Sequence, residues 1–510
     1  MKALMEMYSG QHEGKVPPYP LRWLKEGRLS LSSVASYPLS FFHDSIPLFF
    51  KNPTLDCISN CDLICSRPST NQQYLYLVTM LIEDHILAAE TARNSHFANL
   101  PAAAVDEIFA LNHAYTVDTH PQKVSLGMGV YRTSEGKPWP LPSVQQVEEQ
   151  LFLERDPARH EYLPIEGDHT FLELARDVMF GFSYSKLAET LEERDAKKRI
   201  ASVQTVSGTG ANHVGAAFLA QHLKPKHVWL SSPSWPNHQT IWDLQGVTRK
   251  SYPYFDAATC SFNFQGTMRT LEAEAVPGDV ILLHACAHNP TGLDPSQEQW
   301  MAIAQLCQRK GLFPFFDSAY QGFATGSVGE DSWAVRYFFN MVPRMEMCVA
   351  QSFSKNFGLY GQRVGAFHLV TNGQNTAEQA LVTKNLCHII RGEYSMGPRY
   401  GSTIVKKILG TDDLREQWQA DLKVMSSRIQ TMRQALYDEL VHLKTPGTWE
   451  HIIHQKGMFS YTGLTLRQVL ALREQYHIYL LKSGRASISG CKSNPRNGTM
   501  GNMMLTPDSN

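Results

Sequence analysis

Lys355 lies among small hydroxyl residues, in Gln351-Ser352-Phe353-Ser354-Lys355-Asn356, just after the apolar run Met347–Ala350 and shortly before Arg363. A lysine can be an ordinary surface cation; its chemical use is as an amine that condenses with an aldehyde to a Schiff base. Other clusters offer what a bound aldehyde would need. Ser207-Gly208-Thr209-Gly210 closes a second apolar run and precedes a helix expected to begin near Ala211. Glycines there allow close backbone approach, and the free N–H groups of a helix start can bind a phosphate, with Arg363 as its cation. Asp317, in Asp317-Ser318-Ala319-Tyr320-Gln321-Gly322, could keep a ring nitrogen protonated, while Asn289 and Tyr320 could donate to a ring oxygen. Trp235, in Ser232-Pro233-Ser234-Trp235, could cover a flat ring. Singly, each has a bland explanation: a tight turn, a surface lysine, a buried tryptophan. Jointly they meet the needs of one cofactor, pyridoxal 5′-phosphate (PLP), which carries an aldehyde, a phosphate, a pyridine nitrogen and a ring oxygen.

These clusters share a position relative to the elements that must hold them. Short runs rich in Val, Ile and Phe recur at Ser202–Val206, Val228–Leu230, Val280–His284, Leu312–Phe316 and Met347–Ala350, with helix-like stretches at Asn212–Leu223 and Glu298–Lys310. Strands alternating with helices predict βα units and a mostly parallel sheet, whose ligands lie beyond the carboxyl ends of the strands. Each cluster follows such an end. Of the 510 residues, 43% are apolar and 19% charged, which is ordinary globular usage. The 47 basic and 48 acidic side chains leave a net charge of −1 with no block of like charge, which argues against an electrostatic grip on nucleic acid or an anionic membrane. Nine cysteines are too few for a disulfide scaffold and fit reduced thiols. Cys57, Cys61 and Cys65 would align on one helical face, but no fourth ligand completes a set, so no metal site is expected. The apolar stretch Tyr74–Ile82 ends at Glu83 and Asp84, short of the ~20 residues a membrane span needs. Glu6, Glu13 and Glu26 are out of place in a mitochondrial presequence, and no signal-peptide core follows the start, so a cytoplasmic protein is expected.

Longer motifs carry a resemblance. HACAHNPTG from His284, DSAYQGF from Asp317, QSFSKNFGLYGQRVG from Gln351, and GMFSYTGL followed by HIYLLKSGR resemble the motif set of the class I aspartate aminotransferases, PLP enzymes of fold type I. LGMGVYR from Leu126 and EYLPIEG from Glu161 extend the likeness, which runs from about Ser95 to Gly490. It implies an α/β fold: a large domain, 141–423, with a mostly parallel seven-stranded sheet flanked by helices, and a smaller α/β domain from both flanks, 92–140 and 424–491. Residues 1–91 are left as an N-terminal extension with no recognisable unit. Residues 492–510, rich in Asn, Gly, Ser and Pro, form an atypical tail where the family continues into a helix.

The resemblance also implies roles. Lys355 would hold PLP as a Schiff base and then carry the substrate Cα proton. Asp317 would pair with the ring nitrogen, supported by His238; Asn289 and Tyr320 would donate to the ring oxygen, and Trp235 would stack on the ring. Ser207, Gly208, Thr209, Ser352 and Arg363 would form the phosphate cup, joined by Tyr162 from a neighbouring subunit, which implies a homodimer with shared sites. The bonds Ser232–Pro233 and Asn289–Pro290 would be cis. Arg485, with the backbone at Gly129, would hold the substrate α-carboxylate, and Arg391 the distal carboxylate across the dimer interface. Transamination between L-aspartate and 2-oxoglutarate follows, by a ping-pong route. The alternatives are aromatic or specialised biosynthetic substrates, another PLP chemistry, a weakened scaffold, or a non-catalytic interaction protein.

Overall fold

Helix-start and helix-stop chemistry sets the elements that frame the sheet. In the computed structural model, residues 96–491 are described, apart from 98, 103, 104, 186, 342, 374 and 375. The expectations for residues 1–91, with Cys57, Cys61, Cys65 and Tyr74–Ile82, and for 492–510 lie outside the described residues. Helix α1 is Glu107–Val117, capped by Asp106, and leads to the short strand β1, Val124–Ser125. Helix α2, Pro142–Glu154, is followed by α3, His169–Phe180, which starts on the Asp168 carboxylate and stops at left-handed Gly181.

The central sheet then begins with β2, Ile200–Val206, followed by helix α4, Ser207–His222. Strand β3, His227–Ser232, helix α5, Pro236–Leu244, and strand β4, Thr248–Pro253, come next. Strand β5, Val280–His284, leads through helix α6, Gln297–Lys310, to β6, Phe313–Ser318. A reciprocal Ser296–Gln299 capping box opens α6 and Gly311 closes it. Strands β7, Met347–Ser352, and β8, Val364–Val370, complete the sheet. Its order is β2-β8-β7-β6-β5-β3-β4. Strand β8 runs antiparallel to both neighbours; every other pairing is parallel.

Both faces of this sheet are covered, so its inner strands are buried along their whole length. Val280, Leu282 and Phe315 pack with Ala211 and Val214 of α4, whereas Ile281, Leu283 and Phe316 pack with Trp300 and Ile303 of α6. This two-residue alternation between two apolar layers is why the runs were continuous in the sequence. The polar edge strand β4, with Thr248, Arg249 and Ser251 exposed, gave no such run.

One expectation needs correcting. Helix α4 starts at Ser207, not near Ala211, so Ser207–Gly210 is its first turn rather than a loop before it. The physical reason is that Val206 already serves as the N-cap, and Ser207 enters through a left-handed φ of 61°.

The chain continues with α7, Thr376–Glu393, α8, Arg399–Gly410, and the long α9, Asp412–His442. Strand β9, Phe459–Tyr461, helix α10, Leu466–Tyr476, and strands β10, Ile478–Tyr479, and β11, Arg485–Ser487, follow. Strand β1 pairs with β10, joining residues before the sheet to residues after it, and β9 pairs antiparallel with β11. Among the described residues no helix is long and apolar enough to cross a membrane.

Candidate active site

The carboxyl edge of the sheet delivers its chemistry from successive strand ends. Asp317, next to last in β6, is buried, and its Oδ2 lies 2.8 Å from Nε2 of fully buried His238 on α5. The proton positions in this cluster are fixed from one end. The Asn289 backbone N–H can only donate, and it reaches Nδ1 of His284 at 3.4 Å. His284 therefore carries its proton on Nε2, 3.3 Å from Ser234 Oγ, and that hydroxyl donates to His238 Nδ1 at 3.1 Å. His238 is left with an Nε2–H aimed at Asp317. Burial pushes the Asp317 carboxyl up, but the hydrogen bond from His238, with the Lys355 ammonium behind it, outweighs it and holds the group below the usual carboxylate range. Its second oxygen, Oδ1, is buried with no hydrogen-bond partner.

Lys355 follows β7 and is half-buried, its Nζ 5.0 Å from the centre of the Tyr320 ring. Burial, with Arg363 and Arg485 assisting and Asp317 opposing, lowers its amine from 10.5 to about 8. An amine so placed is partly neutral near pH 7 and can act as a nucleophile or base. Beside it lies a cup of hydroxyls. Ser207 Oγ is 2.7 Å from Ser354 Oγ and 3.4 Å from Ser352 Oγ, and Arg363 Nη1 donates to Ser354 Oγ at 3.3 Å. Two non-glycine residues in the left-handed region, Ser207 at φ 61° and Arg363 at φ 54°, meet there through Ser207 N–H to Arg363 O at 3.1 Å. Such backbone costs of order 1–3 kcal/mol and persists where surrounding contacts impose it, characteristically at sites. A Cβ on Gly208 would come 2.8 Å from Ser352 Cβ, so only glycine fits the cup at that point. Thr209, in the same turn, is exposed.

The donor set fits PLP. An unpartnered buried carboxylate oxygen can hold a ring N–H, a lysine with a lowered pKa can meet an aldehyde, and three hydroxyls with an arginine at a helix start can hold a phosphate.

On the other side of the pocket stands Arg485, the first residue of β11 and almost fully buried. Its Nη1 donates to Asn289 Oδ1 at 3.1 Å and its Nη2 to Gly127 O at 2.6 Å, while its Nε is buried without a partner. Tyr320 is buried, hydrogen-bonded with Asn289 and held strongly protonated, chiefly by burial. Gly129 lies across the Phe459 ring. Trp235 is half-buried, its ring edge-to-face with His238 at 5.0 Å. Ser232–Pro233 and Asn289–Pro290 are both cis, as the motifs implied.

Two expected residues do not join this group within one chain. Tyr162 is 86% exposed. Arg391, in the last turn of α7, is also exposed and bonds to Ser395 Oγ. Sequence reasoning in turn missed Ser354, Ser234 and His284 as members of the site. Ser354 could have been found because it directly precedes the lysine. His284 stood inside a quoted motif, and nothing but the fold connects it to Ser234.

Residues 121–496 match the family described as Aminotransferase class I and II. The chain is 59% identical over 399 residues to L-tyrosine:2-oxoglutarate aminotransferase ucdG of Aspergillus ustus, covering 78% of this chain and 76% of that one. Among solved structures, the aspartate aminotransferase from Saccharomyces cerevisiae cytoplasm superposes with a TM-score of 0.74 at 41% identity, over 80% of this chain and 97% of the other. An aromatic-amino-acid aminotransferase from Burkholderia pseudomallei, covalently bound to pyridoxal phosphate, gives 0.74 at 36%, over 81% and 99%. The chain belongs to the class I and II aminotransferases, a PLP-dependent family whose cofactor the open carboxylate oxygen, the lowered lysine amine and the hydroxyl cup fit.

Proposed function

We propose that this enzyme transfers an amino group from an L-amino acid to 2-oxoglutarate, with L-aspartate as donor and oxaloacetate and L-glutamate as products. The observation that carries the proposal is the unpartnered Asp317 Oδ1 in the same pocket as an amine brought down to about 8. When bound, PLP supplies an aldehyde and a ring that withdraws electrons. Lys355 would engage that aldehyde and would be the base for the proton of the substrate Cα. Asp317 Oδ1 keeps a proton on the ring nitrogen; His238, oriented by Ser234 and His284, keeps Asp317 ionised. Asn289 and Tyr320 face the ring oxygen, and Ser207, Ser352, Ser354 and Arg363 hold the phosphate with the N–H groups of the α4 start.

Arg485 holds the substrate α-carboxylate: its Nε is buried and free, and a guanidinium binds a carboxylate by a two-pronged fork. Arg391 and Tyr162 belong in this reading to the pocket of a second subunit, as distal-carboxylate and phosphate ligands of a homodimer. Their exposure in one chain supports that assignment. The small domain of 92–140 and 424–491 is likewise a proposal, supported by the Val124–Ile478 strand pairing and by Asp118, which accepts from His477 Nδ1 at 2.7 Å and Tyr479 OH at 2.8 Å. A cytoplasmic location draws on the yeast relative. A second donor class, aromatic amino acids, is favoured by the 59% identity to a tyrosine enzyme.

The test is a donor panel of aspartate, tyrosine and phenylalanine with 2-oxoglutarate on purified holoenzyme, read as glutamate formed. Aspartate as the fastest donor is expected. Tyrosine as the fastest selects the second reading, and no glutamate from any donor overturns both.

A further inference from the structure

Arg433 has no part in the chemistry described so far, yet it is a costly residue. It sits inside α9, 3% exposed, and among the described residues no carboxylate pairs with it. Burial alone pulls its guanidinium down to about 9. A buried cation without a carboxylate partner must be met by dipoles, and here both terminal nitrogens meet carbonyls while Nε stays without a partner. Nη1 donates to Ile452 O at 3.0 Å; Nη2 donates to Gly457 O at 2.8 Å, to Lys456 O at 3.4 Å and, more closely still, to Phe459 O. One planar fork thus gathers four carbonyls of a single segment, 452–459, and pins the first residue of β9.

That segment ends in the substrate pocket. Strands β9 and β11 pair with Tyr461 opposite Arg485. Phe459 is therefore the diagonal neighbour of Arg485 on the same face. Its ring centre is 4.2 Å from the Arg485 guanidinium carbon and 5.7 Å from the Tyr320 ring. A Cβ on Gly129 would come 2.8 Å from the ring. The same segment also grips the loop that carries Asn289: Lys456 N–H donates to Gly292 O at 2.6 Å, and Asn289 in turn accepts from Arg485. An aromatic face over a guanidinium removes water from one side of the cation and leaves its N–H fork directed in plane, which strengthens its pairing with a carboxylate.

We propose that Arg433 is a positioning residue for the substrate α-carboxylate: by gathering the carbonyls of 452–459 it seats Phe459 across Arg485 and so sets carboxylate affinity. The inference rests on Arg485 being the α-carboxylate ligand of a transaminase. It assigns Arg433 no contact with substrate or cofactor.

The test compares the parent holoenzyme with Arg433→Lys, Phe459→Leu and the double variant. The readouts are KM and kcat for donor and 2-oxoglutarate, succinate affinity by calorimetry, and melting temperature. Lysine keeps the buried charge but is a point donor that cannot hold four carbonyls in one plane. Each single variant is expected to raise both KM values and weaken succinate binding about tenfold, with kcat within about threefold. Because both act through one ring, the double variant should be no worse than the worse single one. Should Arg433→Lys fail to fold, Arg433→Gln, which removes the buried charge together with most of the fork, should give the same KM-weighted loss. A folded Arg433→Lys protein with parental KM and succinate affinity, multiplying effects in the double variant, or unchanged carboxylate affinity in Phe459→Leu overturns the proposal. A parent that neither transaminates nor binds succinate overturns the functional reading beneath it, so the two failures are distinguishable.

Discussion

The pocket at the sheet edge and the face that carries Tyr162 and Arg391 are held by different physics. At the sheet edge, Asp317, His238, Ser207, Ser352, Asn289 and Arg485 are all buried, and their hydrogen bonds are made within the chain, save for the open atoms Asp317 Oδ1 and Arg485 Nε. A buried polar group without a partner costs about 1–3 kcal/mol, a cost that a ligand bound in the pocket would relieve at these two atoms. On the other face, Tyr162, Phe152, Leu153 and Tyr400 stand exposed, and Arg391 bonds to its neighbour Ser395. Nothing within one chain fixes what those side chains do. The buried region declares its ligand through unmet hydrogen bonds; the exposed region acquires a role only when another surface covers it.

The sharpest way to break the buried half is Lys355→Ala. It removes both the amine that meets the aldehyde and the carrier of the Cα proton, and general acid–base work alone contributes about 10²–10⁴-fold. Turnover should fall at least about 10³-fold, with the absorption band of the lysine-bound cofactor near 400 nm lost. Near-normal turnover in this variant would sink the assignment.

Arg391→Ala attacks the exposed half. A charge-assisted pair is worth about 1.5–3 kcal/mol, so kcat/KM for 2-oxoglutarate should fall about 100-fold, with a smaller loss for an aromatic donor. Mixing the two inactive proteins sharpens the contrast. If Arg391 serves the neighbouring subunit, a hybrid dimer of Lys355→Ala and Arg391→Ala chains contains one intact pocket, and random exchange restores about a quarter of parental activity. No recovery after unfolding and refolding the mixture would place Arg391 with its own chain's pocket or outside any pocket.

The same contrast governs what could be read beforehand. The inner strands were legible because a sheet covered on both faces writes continuous apolar runs, as in Val280–His284. Edge strand β4, Thr248–Pro253, was not, because its exposed side chains include Thr248, Arg249 and Ser251. Lys355, Asp317 and Arg363 were legible because unusual groups followed strand ends. Ser234 and His284 were not, since their meaning lies in a chain of hydrogen bonds between residues far apart in sequence. Arg433 was invisible for the same reason: an arginine in a helical stretch looks like a solvated one until its four carbonyl partners are in place. The start of α4 was misplaced because a left-handed Ser207 has no sequence signature; the glycines after it suggested a loop.

The lowered amine gives a graded test. Only the neutral amine attacks an aldehyde, so PLP uptake by apoprotein should rise about tenfold per pH unit below about 8 and flatten above it. An amine at the ordinary 10.5 would keep rising past pH 9. Stopped-flow absorbance from pH 6 to 9.5 separates the two. A plateau that moves up in Asp317→Asn would contradict the direction assigned, because removing the carboxylate removes the one group that favours the charged amine.

The smallest effect is also the most selective. In one chain the Tyr162 side chain is solvated, while its backbone carbonyl accepts from Arg399 Nη2 at 3.0 Å, a bond that Tyr162→Phe leaves intact. Removing a solvated hydroxyl changes stability by no more than about 0.5 kcal/mol. Any weakening of PLP binding in Tyr162→Phe therefore measures a hydrogen bond formed only when a second subunit brings its own pocket to this residue. A hydrogen bond to a charged phosphate is worth at least about 1.5 kcal/mol, so cofactor affinity should drop about tenfold, with an unchanged melting curve for the apoprotein. The loss should disappear when subunits are diluted until they dissociate, because the parent then loses the same contact. A loss that survives dissociation would mean the hydroxyl acts within its own chain, and the division between a self-sufficient buried pocket and a face that waits for its partner would no longer hold.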